Sequence, residues 1–349
     1  VLKKLILGLC LLALPLSAAA ADRGDEKSVA PEGGGGEAEA THAELIAYGK
    51  WLLELDGAIE PALRALRELG PAWQTAVARP TPAAAEAQFL PFLDDAERAV
   101  AAAKVRLTAM PEFRFERIEL DAEAQPARVH AEMVRMLDQV TELVTSFRPL
   151  IRAIGSKDPE AGDAAVMKML GSARTLFRAQ AAMTGAFVAT MEAGDPARHS
   201  LMFDQIFYRS GMRLFTTTER MVRGQPDATL ATDLAKLAEE MDGVIDRGLA
   251  SVDASQAAAM TLRSELGADA EGVSARAMLD KSVAMESLYR ESFAIARSYA
   301  GAMRATSKRL TGGAVTLPQL QPLINQLRDT RIRLDAVATR QAEILAGMR

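Results

Sequence analysis

The chain has 349 residues, a formal net charge of −5, one cysteine and three histidines. It is 49% hydrophobic but only 5% aromatic, so Ala, Leu, Val and Met must form its core, a helical composition poor in the residues that strands favour. Mild acidity with both signs interspersed argues against nucleic acid or an anionic membrane surface as a partner.

The first 21 residues read as a secretory signal peptide. Lys3 and Lys4 form a basic head, Leu5 to Leu16 an apolar run broken near its end by Pro15, and Ser17 to Ala21 a small-residue tail. Ala19-Ala20-Ala21 offers an A-x-A site, so Sec-type export to the periplasm or beyond, with cleavage after Ala21, is the expectation. Two readings compete with it. One is an uncleaved anchor, which needs the alanines counted into the apolar run to approach a membrane span. The other is lipidation at Cys10, against which stand Leu9, where a small residue is wanted, and the short stretch before it. Cleavage would remove the only cysteine, and with it any disulfide, thiolate metal site or thiol nucleophile. It would also take Lys3 and Lys4 from the 41 basic residues, leaving 39 against 46 acidic and a net charge of −7. No stable membrane insertion is then expected.

Asp22 to Ala40 carries charges, one proline and Gly33-Gly34-Gly35-Gly36, too little apolar surface to offset the cost of ordering, and reads as a flexible linker. No strand precedes the glycines, so they are not read as a phosphate cradle. From Thr41 to Arg349 the pattern is that of a helical bundle domain. Thr41 and Glu44 stand at capping-box spacing. Leu45, Tyr48, Leu52, Leu55, Ile59, Ala62, Leu66 and Leu69 then lie on one stripe, ending at Gly70-Pro71, with Pro61 off the stripe as a kink. Thr81-Pro82 starts a second helix that runs to about Met110. Phe113 and Phe115 alternate with charges as a strand would, but without a partner strand they read as a packed loop.

The third helix, about Ala127 to Ile154, carries Val129, Met133, Met136, Val140, Leu143, Phe147, Leu150 and Ile154 in steps of four and three, and ends at Gly155. Asp158-Pro159 opens a fourth helix to about Ala193, and Asp195-Pro196 a fifth, with Phe203, Phe207 and Phe215, to Gly224. The sixth starts near Asp227 and carries Leu230, Leu234, Leu237, Met241, Val244, Gly248 and Val252. A seventh spans about Ser274 to Leu310, and an eighth, capped by Thr316, runs almost to Arg349. The fold class is therefore all-α: about eight amphipathic helices in an elongated bundle or two adjoining bundles. A shift of 112 residues lays 127–192 over 239–304, Gly155 on Gly267 included. Duplication accounts for the glycine match, whereas 112 being a multiple of seven accounts for the rest by heptad phase alone.

Chemistry is sparse. His42, His130 and His199 never stand at metal-ligand spacing, and Asp195 with His199 reads as an ion pair at a helix start. Met133-x-x-Met136 and Met167-x-Met169 could bind copper through thioethers, but Met133 and Met136 fall on the core stripe. Arg328, Arg331, Arg333 and Arg340 read as a solvated face with Asp329 and Asp335 rather than an anion site. Phe203, Phe207, Tyr208 and Phe215 read as core before pocket. There is no GxSxG elbow and no general acid/base pair, so no catalytic residue, metal ligand or cofactor is assigned, and the chain is not read as an enzyme. The expectation is a binding or protein-interaction role with a protein partner or small ligand; the alternative is a small-ligand or copper carrier.

Ala47-Tyr48-Gly49-Lys50-Trp51-Leu52, Ser287-Leu288-Tyr289-Arg290 through Arg297-Ser298-Tyr299, and Leu323-Ile324-Asn325-Gln326-Leu327 together resemble the YiiG-like family of exported bacterial helical proteins, a domain family of unknown function. The resemblance spans most of Thr41 to Arg349 and implies an exported helical fold, with no known activity. Members often carry a lipoprotein cysteine and a Tyr-Asn pair; here Gly49 follows Tyr48 and no suitable cysteine exists, so lipid anchoring is not carried over. The GxHxxE motif of the imelysin-like proteins is missing.

Overall fold

A computed structural model describes residues 35–79, 81–116, 125–155, 159–267, 270–310 and 315–346. Within them lie eight helices and no strand: α1 (Gly35–Val77), α2 (Pro82–Ala109), α3 (Pro126–Gly155), α4 (Pro159–Ala189), α5 (Pro196–Val222), α6 (Leu230–Glu265), α7 (Ala270–Arg309) and α8 (Leu317–Ala346). The all-α reading holds. The chain divides after Thr190 into two compact units, α1–α4 and α5–α8. The 112-residue shift pairs α3, third helix of its unit, with α6, second of its own, so it does not map one unit onto the other in order. The export segment, its cleavage site and Cys10 lie outside the described residues.

In the first unit each helix packs on the next. The stripes on α1 and α3 face inward: Leu55, Ala62, Leu66 and Leu69 are fully buried, as are Val129, Met133, Val140, Leu143 and Phe147. At the centre Trp73 meets Phe89 edge-on at 5.0 Å and Phe147 at 5.6 Å. Trp73 also explains a correction. Helix α1 runs through Gly70-Pro71 to Val77, because Ala72, Trp73 and Ala76 continue the buried stripe. Burying that ring offsets the roughly 3 kcal/mol that an internal proline costs.

The start of α1 is corrected too. It begins at Gly35, taking the last six residues of the expected linker, so Thr41 lies inside the helix rather than at its start. Glu37 to Ala40 are strong helix formers, and acid in the first turn suits the helix dipole. The Glu44 carboxylate instead accepts the backbone N–H of Glu116 at 2.5 Å. Phe113 and Phe115 form no strand; they pack on Tyr48 at 5.5 and 5.0 Å.

In the second unit α5 packs on α6 and α7, α6 on α7, and α7 on α8. The Thr81 and Asp195 side chains accept from Ala84 N and Ala197 N as N-caps. At α8 the reciprocal half of a capping box is present: Gln319 Oε1 accepts from both the backbone N–H and the hydroxyl of Thr316 at 2.8 Å. Helix α5 closes at Gly224, whose φ of +67° suits glycine, with Gln225 N donating to Arg220 O and Gly224 N to Met221 O.

Helix α6 begins at Leu230, not Asp227, because Asp227 is otherwise engaged. Its buried carboxylate accepts two bonds of 2.6 Å from Arg213 and one of 2.7 Å from Thr217. Burial pushes the Asp227 carboxyl up, but Arg213 and Thr217 outweigh it and hold it at about 2. Arg213 also reaches Asp233 at 2.7 Å, which fastens the α5–α6 corner. Smaller differences occur where α4 ends at Ala189 and α7 starts at Ala270.

Candidate functional site

The residues singled out from sequence are mostly placed in packing roles. His130 is buried and donates from Nε2 to Leu107 O at 2.7 Å, tying α3 to the end of α2. His199 is 5% exposed; burial, with Arg198 and Arg247 nearby, holds its imidazole below the usual range. It is therefore neutral at pH 7 rather than the cation of an ion pair with Asp195, which is a correction. The His42 side chain lies outside the described residues. Met133, Met136 and Met169 are core residues of the first unit, while Met167 is half-buried. Phe203, Phe207, Tyr208 and Phe215 are buried, with Phe207 in ring contact with Phe203, Tyr208 and Tyr299. Among the described residues, no three His, Cys, Asp or Glu side chains stand close enough to hold a metal ion.

One expectation fails in an informative way. Arg328 and Arg340 are exposed, but Arg331 is buried at 5% exposure. It occupies the inward register of α8, four after Leu327 and three before Leu334, and that register was the signal available in the sequence. Its Nη1 donates to Tyr208 Oη at 3.1 Å, and its Nε stands 3.4 Å from Asp335. Tyr208 and Asp204 lie one turn apart on α5, so the guanidinium bridges α5 and α8. Burial pushes the Asp204 carboxyl up to about 7, with Arg331 drawing it down and Asp335 raising it. Nearby, the Ser210 hydroxyl and Tyr299 Oη share a hydrogen bond of 2.7 Å, joining α5 to α7. Burial raises both tyrosines, which stay neutral. Arg331 meets Tyr208 and Asp335, and Ser210 meets Tyr299, so the cluster works as an internal fastening.

The other notable feature is the far end of the α6–α7 hairpin. These helices run antiparallel, paired by Asp242 with Arg304, Asp246 with Arg297, Asp253 with Arg290, and Arg263 with Asp280. Exposed ion pairs of this kind add little stability but fix the register. Gly248 fixes the spacing, since a Cβ there would lie 2.3 Å from Phe293 Cζ.

The flanking helices are shorter. Arg209 of α5 meets Glu240 of α6 at 2.5 Å, so α5, starting at Pro196, runs out beside about residue 253 of α6. Arg340 of α8 meets Glu291 at 2.7 Å and Gln326 meets Ser298 at 3.4 Å, which sets Ala346 beside about residues 278–285 of α7. Past those points helix rise leaves neither α5 nor α8 alongside the hairpin, over about 18 Å of α6. This overhang holds Met260, Leu262, Val273 and Met278, 68%, 53%, 58% and 44% exposed. The other large apolar side chains exposed among the described residues, Val77, Val105 and Ile332, are scattered singly. Met260 and Leu262 stand two residues apart on α6, and so on different sides of it, which leaves the hairpin end apolar on more than one side.

No family model, curated protein or solved structure matches the chain. Among the described residues, no helix is long and apolar enough to cross a membrane.

Proposed function

We propose that this is an exported, non-catalytic helical-bundle protein that acts by binding a protein partner through the overhanging end of the α6–α7 hairpin. The observation that supports it is the concentration of Met260, Leu262, Val273 and Met278 where α5 and α8 no longer flank the hairpin. Exposing these side chains forgoes roughly half of the about 1.5–3 kcal/mol that full burial of each is worth. A partner that covers them recovers part of it. Export rests on the layout of Val1 to Ala21, and the YiiG-like resemblance supports fold and location without adding an activity. The carrier reading is weaker, because Met133, Met136, Met169 and the aromatic rings of α5 are occupied in core packing.

Oxidative footprinting of methionine tests this. Met260 and Met278 are expected to oxidise rapidly in dilute purified protein and to be shielded in the cell, with Met133 and Met136 slow in both. Equal rates for Met260 and Met278 in the two settings would overturn the proposal.

A further inference from the structure

We infer that α8 is a proton-controlled latch, closed on α5 while Asp204 is protonated and opening locally more often once that carboxyl is ionised. The latch rests on no feature of the hairpin end. It begins with how α8 is seated. Among the described residues α8 packs along α7, without comparable backbone packing on α5 or α6. Its reach to α5 is made by side chains: Arg331, buried in the inward register between Leu327 and Leu334, donates to Tyr208 Oη at 3.1 Å. Asp204 stands one turn before Tyr208 on the same face of α5, within the field of the same guanidinium. A helix held by one neighbour and a side-chain bridge is the part of a unit that opens first.

Charge at the bridge decides when. Arg331 carries one positive charge, and Asp335, exposed and 3.4 Å from its Nε, already balances it. An ionised Asp204 therefore adds a second carboxylate to one guanidinium, out of water. Asp204 is half-buried as a residue, yet desolvation is the strongest influence on its carboxyl, ahead of the attraction of Arg331. The other elements do not relieve it. Its own helix offers the neutral Tyr208, and α7 the neutral Tyr299, which bonds Ser210. On α6, Arg247 acts on His199, and Asp246 pairs with Arg297 of α7. Once α8 has moved away, water reaches the carboxylate and the cost of its charge falls. The closed form thus holds a proton that the open form releases, from the ordinary carboxyl range up to about 7. Opening grows by up to about tenfold per pH unit in that window and levels off above it.

Amide hydrogen exchange of the full chain, read by mass spectrometry from pH 5 to pH 8 and corrected for the chemical exchange rate at each pH, tests this. Opening of 320–337 in α8 should rise at least tenfold across the range, most of it below pH 7, while 234–252 in α6 changes far less. Asp204→Asn, which cannot ionise, should keep α8 equally closed at every pH. His199 and every other group still titrate in that variant, so the lost slope belongs to Asp204. Asp335→Asn removes a charge that raises Asp204 and should move the midpoint to lower pH. Equal rises in α8 and α6 of the wild type, which need no variant to be seen, would overturn the latch, because only global unfolding would then sense the proton. So would a wild-type α8 without a slope, a slope that survives in Asp204→Asn, or a midpoint unmoved in Asp335→Asn.

Discussion

At the scale of single residues, two positions test packing and charge. Gly248 carries Phe293 where a Cβ would sit 2.3 Å from the ring, whereas a Cβ at Gly243, on the same helix, would meet only Arg247 Nη1 at 3.6 Å. Gly248→Ala should cost about 1–3 kcal/mol through forced displacement of the ring. Gly243→Ala should be neutral or stabilising by about 1 kcal/mol, as for alanine in an open helical site. Urea unfolding of the two variants compares them directly. Asp204 gives a pH signature. Its carboxyl titrates near 3.8 when unfolded and at about 7 when folded, so between those values the folded chain holds the extra proton. The contribution is fully present below about 4 and is lost as pH rises through about 7. Stability measured from pH 5 to pH 8 should fall in the wild type and fall less in Asp204→Asn. Identical slopes would show that Asp204 does not titrate as described.

Elements were legible in the sequence wherever apolar spacing and punctuation agreed. Thr81-Pro82 and Asp195-Pro196 start helices as read, and the stripes on α3 and α6 are buried as read. Boundaries were misread where tertiary packing outweighed local signals. Trp73 carries α1 through Pro71, and Asp227 holds the α5–α6 corner instead of entering α6. The Thr41–Glu44 spacing looked like a capping box, yet the side chain that holds a helix-start N–H is Gln319, on Thr316. Gln319→Ala should therefore cost about 0.5–1.5 kcal/mol through the lost bond to Thr316 N–H, while Thr41→Ala should cost nothing and gain a few tenths in helix propensity. Thermal melts of the two single variants distinguish these outcomes. The polar cluster was missed because Arg331 was read by charge rather than by register. The overhang could not be read at all, since it depends on where α5 and α8 run out beside α6 and α7, and no periodicity within one helix reveals that.

At the scale of the whole molecule, the described residues form two four-helix units, each with its own core, and one hairpin end in the second carries exposed apolar side chains. Export predicts that protein recovered from the cell envelope has a mass lacking the first 21 residues; a mass that retains them would favour the anchored alternative. The central claim is that the uncovered end is where the protein meets its partner. A photoreactive side chain placed in living cells at positions 260, 262, 273 and 278, and at the exposed control 105, tests it most directly. The account predicts discrete crosslinked species from the four hairpin positions and none from position 105. Crosslinks from position 105 alone, or none from the hairpin, would contradict it.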